Sequence, residues 1–188
     1  MFAGADFGGG VWTALASGPR ATQQREAIFR AMGPVWETNH VWLILIVVAL
    51  FTAFPAAFAG LFTALLVPLV IVLVGIVFRG AAFAFRHYGH GTAAALPATG
   101  TVLSIASLIT PMTMGMALGA IAGGQITIEN AVVTSGLWGP WLRPFSILCG
   151  LIAVAMCAFL TAYYMTTRTT GDLQQDFRNR GLFASFAL

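Results

Sequence analysis

An all-α, polytopic transmembrane helix bundle is the architecture this chain encodes. Three observations lead there. Of its 188 residues, 59% are hydrophobic and only 8% are charged, whereas an average soluble domain is about 25% charged. The apolar residues gather in runs of about 20 or more, the length needed to cross a bilayer as a helix. The breaks between runs carry Gly, Pro or Arg, the residues that end membrane helices or mark their loops. The expectation is about four complete spans of that length, with partial helices at both chain ends, all in a single integral membrane domain over residues 1–188.

Residues 1–16 read as a partial first helix, with Asp6 ahead of Gly8, Gly9 and Gly10 and a stop at Ser17, Gly18 and Pro19. This segment has no basic leader region or cleavage site. Residues 20–32 are a polar connection in which Ala27, Ile28 and Ala31 recur at helical spacing, the pattern of a short interfacial helix. The second span is expected at 34–54, with Pro34 in its first turn. Pro55 and Gly60 then suggest a tight turn before a third span at 61–85. Residues 86–91 form a loop with His87 and His90, and a fourth span follows at 96–122, kinked at Pro111. A longer loop holding Glu129, Trp138 and Trp141 leads to the fifth span at 144–166. After a polar stretch at 168–180, residues 181–188 turn apolar again, like the start of another helix. Interrupted helices at both ends are the expectation for a piece of a longer membrane protein or a divergent short form.

All nine basic residues are arginines, and the net charge is only +3, which gives no footprint for nucleic acid. Loops on one side of the bundle hold seven arginines: Arg20, Arg25, Arg30, Arg86, Arg168, Arg178 and Arg180. The other side holds Arg143. The arginine-rich side is therefore expected in the cytoplasm. Cys149 and Cys157 stand eight residues apart in one helix, about 12 Å along its axis, too far for a disulfide.

Ionisable groups inside hydrocarbon are costly and pair with one another or face a cavity. Three share the cytoplasmic half of the bundle: Asp6, Glu37 and Arg79. Arg79 is expected to meet Asp6 or Glu37. Both a structural ion pair and a proton path or polar ligand pocket fit that arrangement. The stretch GPVWETNHVWLIL, residues 33–45, concentrates the remaining polar candidates. Glu37 and His40 have the Glu-x-x-His spacing of di-iron bundles, but the second copy and the additional glutamates are missing. His40 is expected to hydrogen-bond to Asn39 or to backbone rather than ligate haem, and no metal site is assigned. Trp36 suits the interfacial belt or a packing contact, while Trp42, deeper, is expected inside the bundle. Trp138 and Trp141 read as belt residues on the opposite side. Met112, Met114 and Met116 alternate and cannot share one helical face. Gly115, Gly119 and Gly123, four apart, form a small-residue seam for close helix contact. There is no nucleotide fingerprint, P-loop or catalytic triad.

Six motifs, in order, resemble subunit II of the cytochrome bd-type quinol oxidases. They are GADFGGG at 4–10, GPVWETNHVWL at 33–43, VFRGAAF at 77–83, SLITPMTMGMALG at 107–119, LRPFSILCG at 142–150 and RTTGDL at 168–173. The family pattern has an aspartate in the glycine-rich first helix, matching Asp6. It has a tryptophan followed by an acid in the second, matching Trp36 and Glu37, and an arginine after an aromatic in the third, matching Arg79. This chain departs from it with Glu37 where aspartate is usual and His40 where glutamine is common. It is also about half the family's length; in a chain of that length the pseudo-repeat and part of the subunit interface would be absent.

The resemblance implies a haem-free accessory subunit. Its partner, subunit I, carries haem b, haem d and the quinol-oxidising loop. The complex oxidises quinol and reduces dioxygen to water with protons from the cytoplasm, and subunit II stabilises the haem-bearing partner. A structural quinone, part of a proton or oxygen path, bound membrane lipid and a small extra subunit are the roles it leaves open. The alternative is a small-solute membrane transporter, suggested by the broken helices at Gly8–Gly10 and Gly33–Pro34 beside ionisable residues.

Overall fold

The long apolar runs become helices because a backbone in hydrocarbon must satisfy its own hydrogen bonds. In the computed structural model, residues 2–88, 95–130, 132–186 and 188 are described, without the side chains of 2–3, 34–37, 86–88 and 95–98. Seven helices lie in these residues: α1 (Phe2–Ala14), α2 (Ala21–Ala53), α3 (Pro55–Ala64), α4 (Leu66–Tyr88), α5 (Ala95–Ala122), α6 (Pro144–Arg168) and α7 (Gly171–Ser185). Three contain stretches long and apolar enough to cross a membrane: Leu66–Phe85, Thr99–Ala122 and Pro144–Arg168. A fourth is reached if the two arms of α2, Ala21–Gly33 and Thr38–Ala53, count as one bent span.

The helices form a bundle in which α5 packs on both α4 and α6, and α1 lies against α6, α5 and α2. Helix α7 folds back onto α6. One apolar core joins Trp12 of α1, Ile28 and Met32 of α2, Phe83 of α4, Leu103 of α5, Met165 of α6 and Phe177 of α7. A second, at the other end of the bundle, gathers Leu65, Met116, Ala117, Ala120 and Trp141.

Several local expectations are corrected. The interfacial helix at 20–32 and the second span are one helix, bent by 48°. Pro34 lies within it rather than in its first turn; a proline there removes a backbone donor and kinks the helix. The turn expected at Pro55 and Gly60 is the short helix α3, which Pro55 starts at its first position. The polar stretch after Arg168 is also helical, because Phe177 and Ala184 give α7 a buried face. The loop after α5 contains a two-stranded hairpin, β1 (Ile128–Glu129) with β2 (Val132–Val133), Ile128 opposite Val133. Asn130 at its turn has φ 50°, a left-handed conformation that asparagine tolerates better than most residues.

Candidate functional site

Three consecutive glycines bring α1 into the bundle. Successive helical positions point about 100° apart, so each glycine faces a different neighbour. A Cβ on Gly8 would overlap the Cys157 carbonyl and the Thr161 hydroxyl of α6, and one on Gly10 would overlap Ser107 of α5. A Cβ on Gly9 would stand 3.2 Å from both Ile28 and Met32 of α2. Two hydrogen bonds hold α1 on α6: Trp12 Nε1 donates to the Ala158 carbonyl (2.7 Å) and Thr161 Oγ1 to the Ala5 carbonyl (2.5 Å).

This approach carries Asp6 into the interior, where it meets Arg79 of α4; each is only 1% exposed. Arg79 Nη2 donates to the Asp6 carboxylate and also, at 2.6 Å, to the Asp6 backbone carbonyl. The guanidinium lies over the Phe7 ring, 4.5 Å from its centroid, and near the Phe83 ring at 5.6 Å. Such faces attract a desolvated cation. Arg79 Nε and Nη1 have no hydrogen-bond partner among the described residues. One turn earlier on α4, Gly75 lets Thr110 of α5 come close.

Helix α2 brings Asn39 and His40 within electrostatic reach of Asp6. Asn39 is buried, yet its Nδ2 completes no hydrogen bond among the described residues. Asp6 is thus the shared neighbour: Arg79 of α4 bonds to it directly, and Asn39 and His40 of α2 lie within electrostatic reach of it. Trp36 and Glu37 precede them on α2, at the break between its two arms, and their side chains lie outside the described residues. The side chains of Arg86 and His87 and the whole of His90 also fall outside them.

The remaining sequence candidates divide. Gly115 and Gly119 of α5 face Gly150, Ser146 and Cys149 of α6, with no room for a side chain, whereas Gly123 lies beyond the end of α5 beside Phe145. Trp42, expected inside, is 60% exposed. The inward stripe of that arm runs through Asn39, His40, Leu43 and Val47, and Trp42 falls off it. Trp141, expected in the interfacial belt, is buried and donates Nε1 to the Leu137 carbonyl at 2.8 Å. Its neighbour Trp138 is exposed.

A second polar cluster had no sequence signal beyond its arginines. Arg20 grips Asp176 of α7 with two hydrogen bonds (2.7 and 2.9 Å) and reaches Asp172 at 3.1 Å. Gln24 donates to Asp176 and accepts from Arg180. Arg25 donates to the Thr13 and Ala16 carbonyls, and Arg180 reaches those of Trp12 and Leu15. Two cations thus satisfy the last carbonyls of α1, where the helix dipole also favours positive charge. The hydrogen bonds from Arg20, helped by Gln24, hold the Asp176 carboxyl below its ordinary pKa, and burial lowers that of Arg180. The partners contributed by α7 stand more than 150 residues from those they meet, so no local pattern reveals them.

Among the described residues, no group of three or more His, Cys, Asp or Glu side chains is placed to hold a metal ion. The class defined so far is a multi-pass helical membrane protein whose core is tied by a buried arginine–aspartate pair. The chain belongs to the cytochrome bd terminal oxidase subunit II family, whose model matches residues 1–188. It is 30% identical over 179 residues to the cytochrome bd ubiquinol oxidase subunit 2 of Bacillus subtilis (strain 168), covering 93% of this chain and 51% of that protein. It is 29% identical over 173 residues to the cytochrome bd-I ubiquinol oxidase subunit 2 of Escherichia coli (strain K12), covering 90% and 45%. The chain thus spans about half the length of the curated relatives it matches. In fold it is similar to a chain from the structure of bd oxidase from Geobacillus thermodenitrificans, with TM-score 0.71, 23% identity, and 99% of this chain and 59% of that one covered.

Proposed function

We propose that this chain acts as an accessory subunit of a bd-type terminal oxidase that oxidises quinol and reduces dioxygen to water. Family membership along residues 1–188 carries this reading; it also disfavours the solute-transporter alternative. In this proposal haem b and haem d belong to a partner, subunit I, which this chain stabilises in a bacterial inner membrane. Residues 1–188 form a single integral membrane domain.

The buried Asp6, Asn39 and Arg79 with half-buried His40 are a polar station on the proton supply, and Glu37, earlier on α2, is a further candidate for it. Its support is the unusual chemistry: a carboxylate with histidine in electrostatic reach, beside an arginine with unused donors. Such groups persist inside a bundle where they are paired or functional. The arginine-rich loops face the cytoplasm, a reading supported by Arg25 and Arg180, which both donate to carbonyls at the same end of α1, and by Arg20, which pairs with α7 beside them. Trp36 is the candidate contact for a structural quinone.

The test is a reduced-minus-oxidised optical spectrum of whatever co-purifies with the tagged, full-length protein from native membranes. Haem bands in a stoichiometric complex are expected; a colourless, partner-free preparation would contradict the oxidase reading. Within a coloured complex, Asp6→Asn separates the two roles of the cluster. A proton station predicts slowed oxygen consumption with a changed pH profile at full haem content. An unchanged turnover and pH profile would reduce the cluster to a structural tie.

A further inference from the structure

Helix α7 has two opposite charged faces. Asp172, Asp176 and Arg180 follow at spacings of four and line the face that meets Arg20 and Gln24. Gln174, Arg178 and Leu182 follow at the same spacing but are offset by two residues, which turns them about 200° away. Both acids of α7 therefore serve the first face, and none is left for the second. Arg178 is exposed and makes no hydrogen bond or ion pair among the described residues. Its guanidinium has five donors to satisfy.

That second face forms one wall of a cleft of about 400 Å³ against the end of α6. Gln174, Gln175 and Arg178 supply polar groups, and Tyr163 and Leu182 supply apolar surface. Gln174 Nε2 donates to the Thr166 carbonyl at 2.9 Å, which fixes the floor of the cleft. Gly181 lies against Ala162 and Tyr163, so α7 can run close to α6. The cleft lies where the apolar stretch Pro144–Arg168 ends, the level at which a membrane helix meets headgroups and aromatic belts. A free cation, amide donors and an apolar flank at that depth match a phosphodiester with acyl chains below it.

We propose that this cleft binds the headgroup of an anionic phospholipid, with Arg178 holding the phosphate and Tyr163 and Leu182 flanking the start of the chains. Only the membrane placement of α6 is required, so the site stands or falls separately from the oxidase reading. The experiment uses the full-length chain with its co-purifying partners, equilibrated with phosphatidylcholine vesicles containing or lacking phosphatidylglycerol. Lipid retained after detergent extraction is counted by native mass spectrometry. The wild type is expected to retain phosphatidylglycerol over phosphatidylcholine. Arg178→Gln is expected to lower that retention about fivefold, the worth of one basic residue at an anionic surface. Arg178→Lys keeps the charge and most of the retention. Arg143→Gln, at the opposite end of α6, leaves it unchanged. Equal retention by wild type and Arg178→Gln would overturn the proposal. So would full displacement of the lipid by inorganic phosphate, which would mark a free-anion site, or a protein segment from a partner cross-linking into the cleft.

Discussion

Two arginine–aspartate contacts hold this chain together in opposite surroundings. Arg79 and Asp6 meet in the interior, each 1% exposed, while Arg20 meets Asp172 and Asp176 at a bundle end where Arg20's side chain remains 41% exposed. The outer pair can exchange its partner for water at little cost, so it adds little stability by itself. The inner pair has no such exchange. Neither ion is tolerable alone in hydrocarbon, and the attraction largely offsets a desolvation cost that both have already met. The inner pair therefore ties α1 to α4 through the reach of the Arg79 side chain, and the outer pair only trims the position of α7.

The sharpest way to break this contrast is to remove one inner partner. Arg79→Leu leaves Asp6 buried without its cation and is expected to cost about 3–5 kcal/mol. Thermal unfolding of the purified protein in detergent should show an early, broad transition or no folded material. A neutral result would mean that the pair is hydrated in the membrane.

Next in size is the close approach that places Asp6. Gly8→Ala drives a methyl group into the Cys157 carbonyl and Thr161, and overpacking of this kind costs about 1–3 kcal/mol. Gly100→Ala in α5 meets nothing within 4 Å and should be neutral or slightly stabilising by the same assay. Thr161→Val removes the hydrogen bond to the Ala5 carbonyl and should cost about 1 kcal/mol.

The smallest effect belongs to the outer contact. Asp176→Asn should leave the unfolding midpoint almost unchanged but speed amide exchange in α7, more so at low salt, where the wild-type contact is least screened. The folded pKa of Asp176 is lowered. Its contribution is therefore complete above the unfolded carboxylate value of about 4 and fades as pH falls through the lower folded value. Protection of the α7 amides, taken relative to intrinsic exchange at each pH from about 6 downwards, should fall only below about pH 4; a fall near neutrality would point to a histidine instead.

The same contrast governs what could be read from sequence. Arg79 and Asp6 stand out as charges in apolar runs, and the cost of burying either alone points to pairing before any geometry is known. The three glycines at positions 8–10 read in the sequence as a break, whereas α1 runs through them unbroken and uses them for close approach to three different helices. The outer cluster is hidden because Arg20, Asp172 and Asp176 sit in polar stretches where charge is unremarkable, and their meeting depends on α7 folding back along α6. Trp42 and Trp141 went to the wrong environments for a related reason. Depth along a span is legible from sequence, but the direction a side chain faces depends on which neighbouring helix covers it.

The most direct test of the buried tie is a double-mutant cycle at Asp6 and Arg79, scored by thermal unfolding of the full-length protein. Asp6→Leu and Arg79→Met should each be severely destabilising, and the double variant should recover most of the loss, giving a coupling of several kcal/mol in the sense expected for a desolvated ion pair. If the two losses simply add, the side chains act independently and the central role assigned to their contact is wrong.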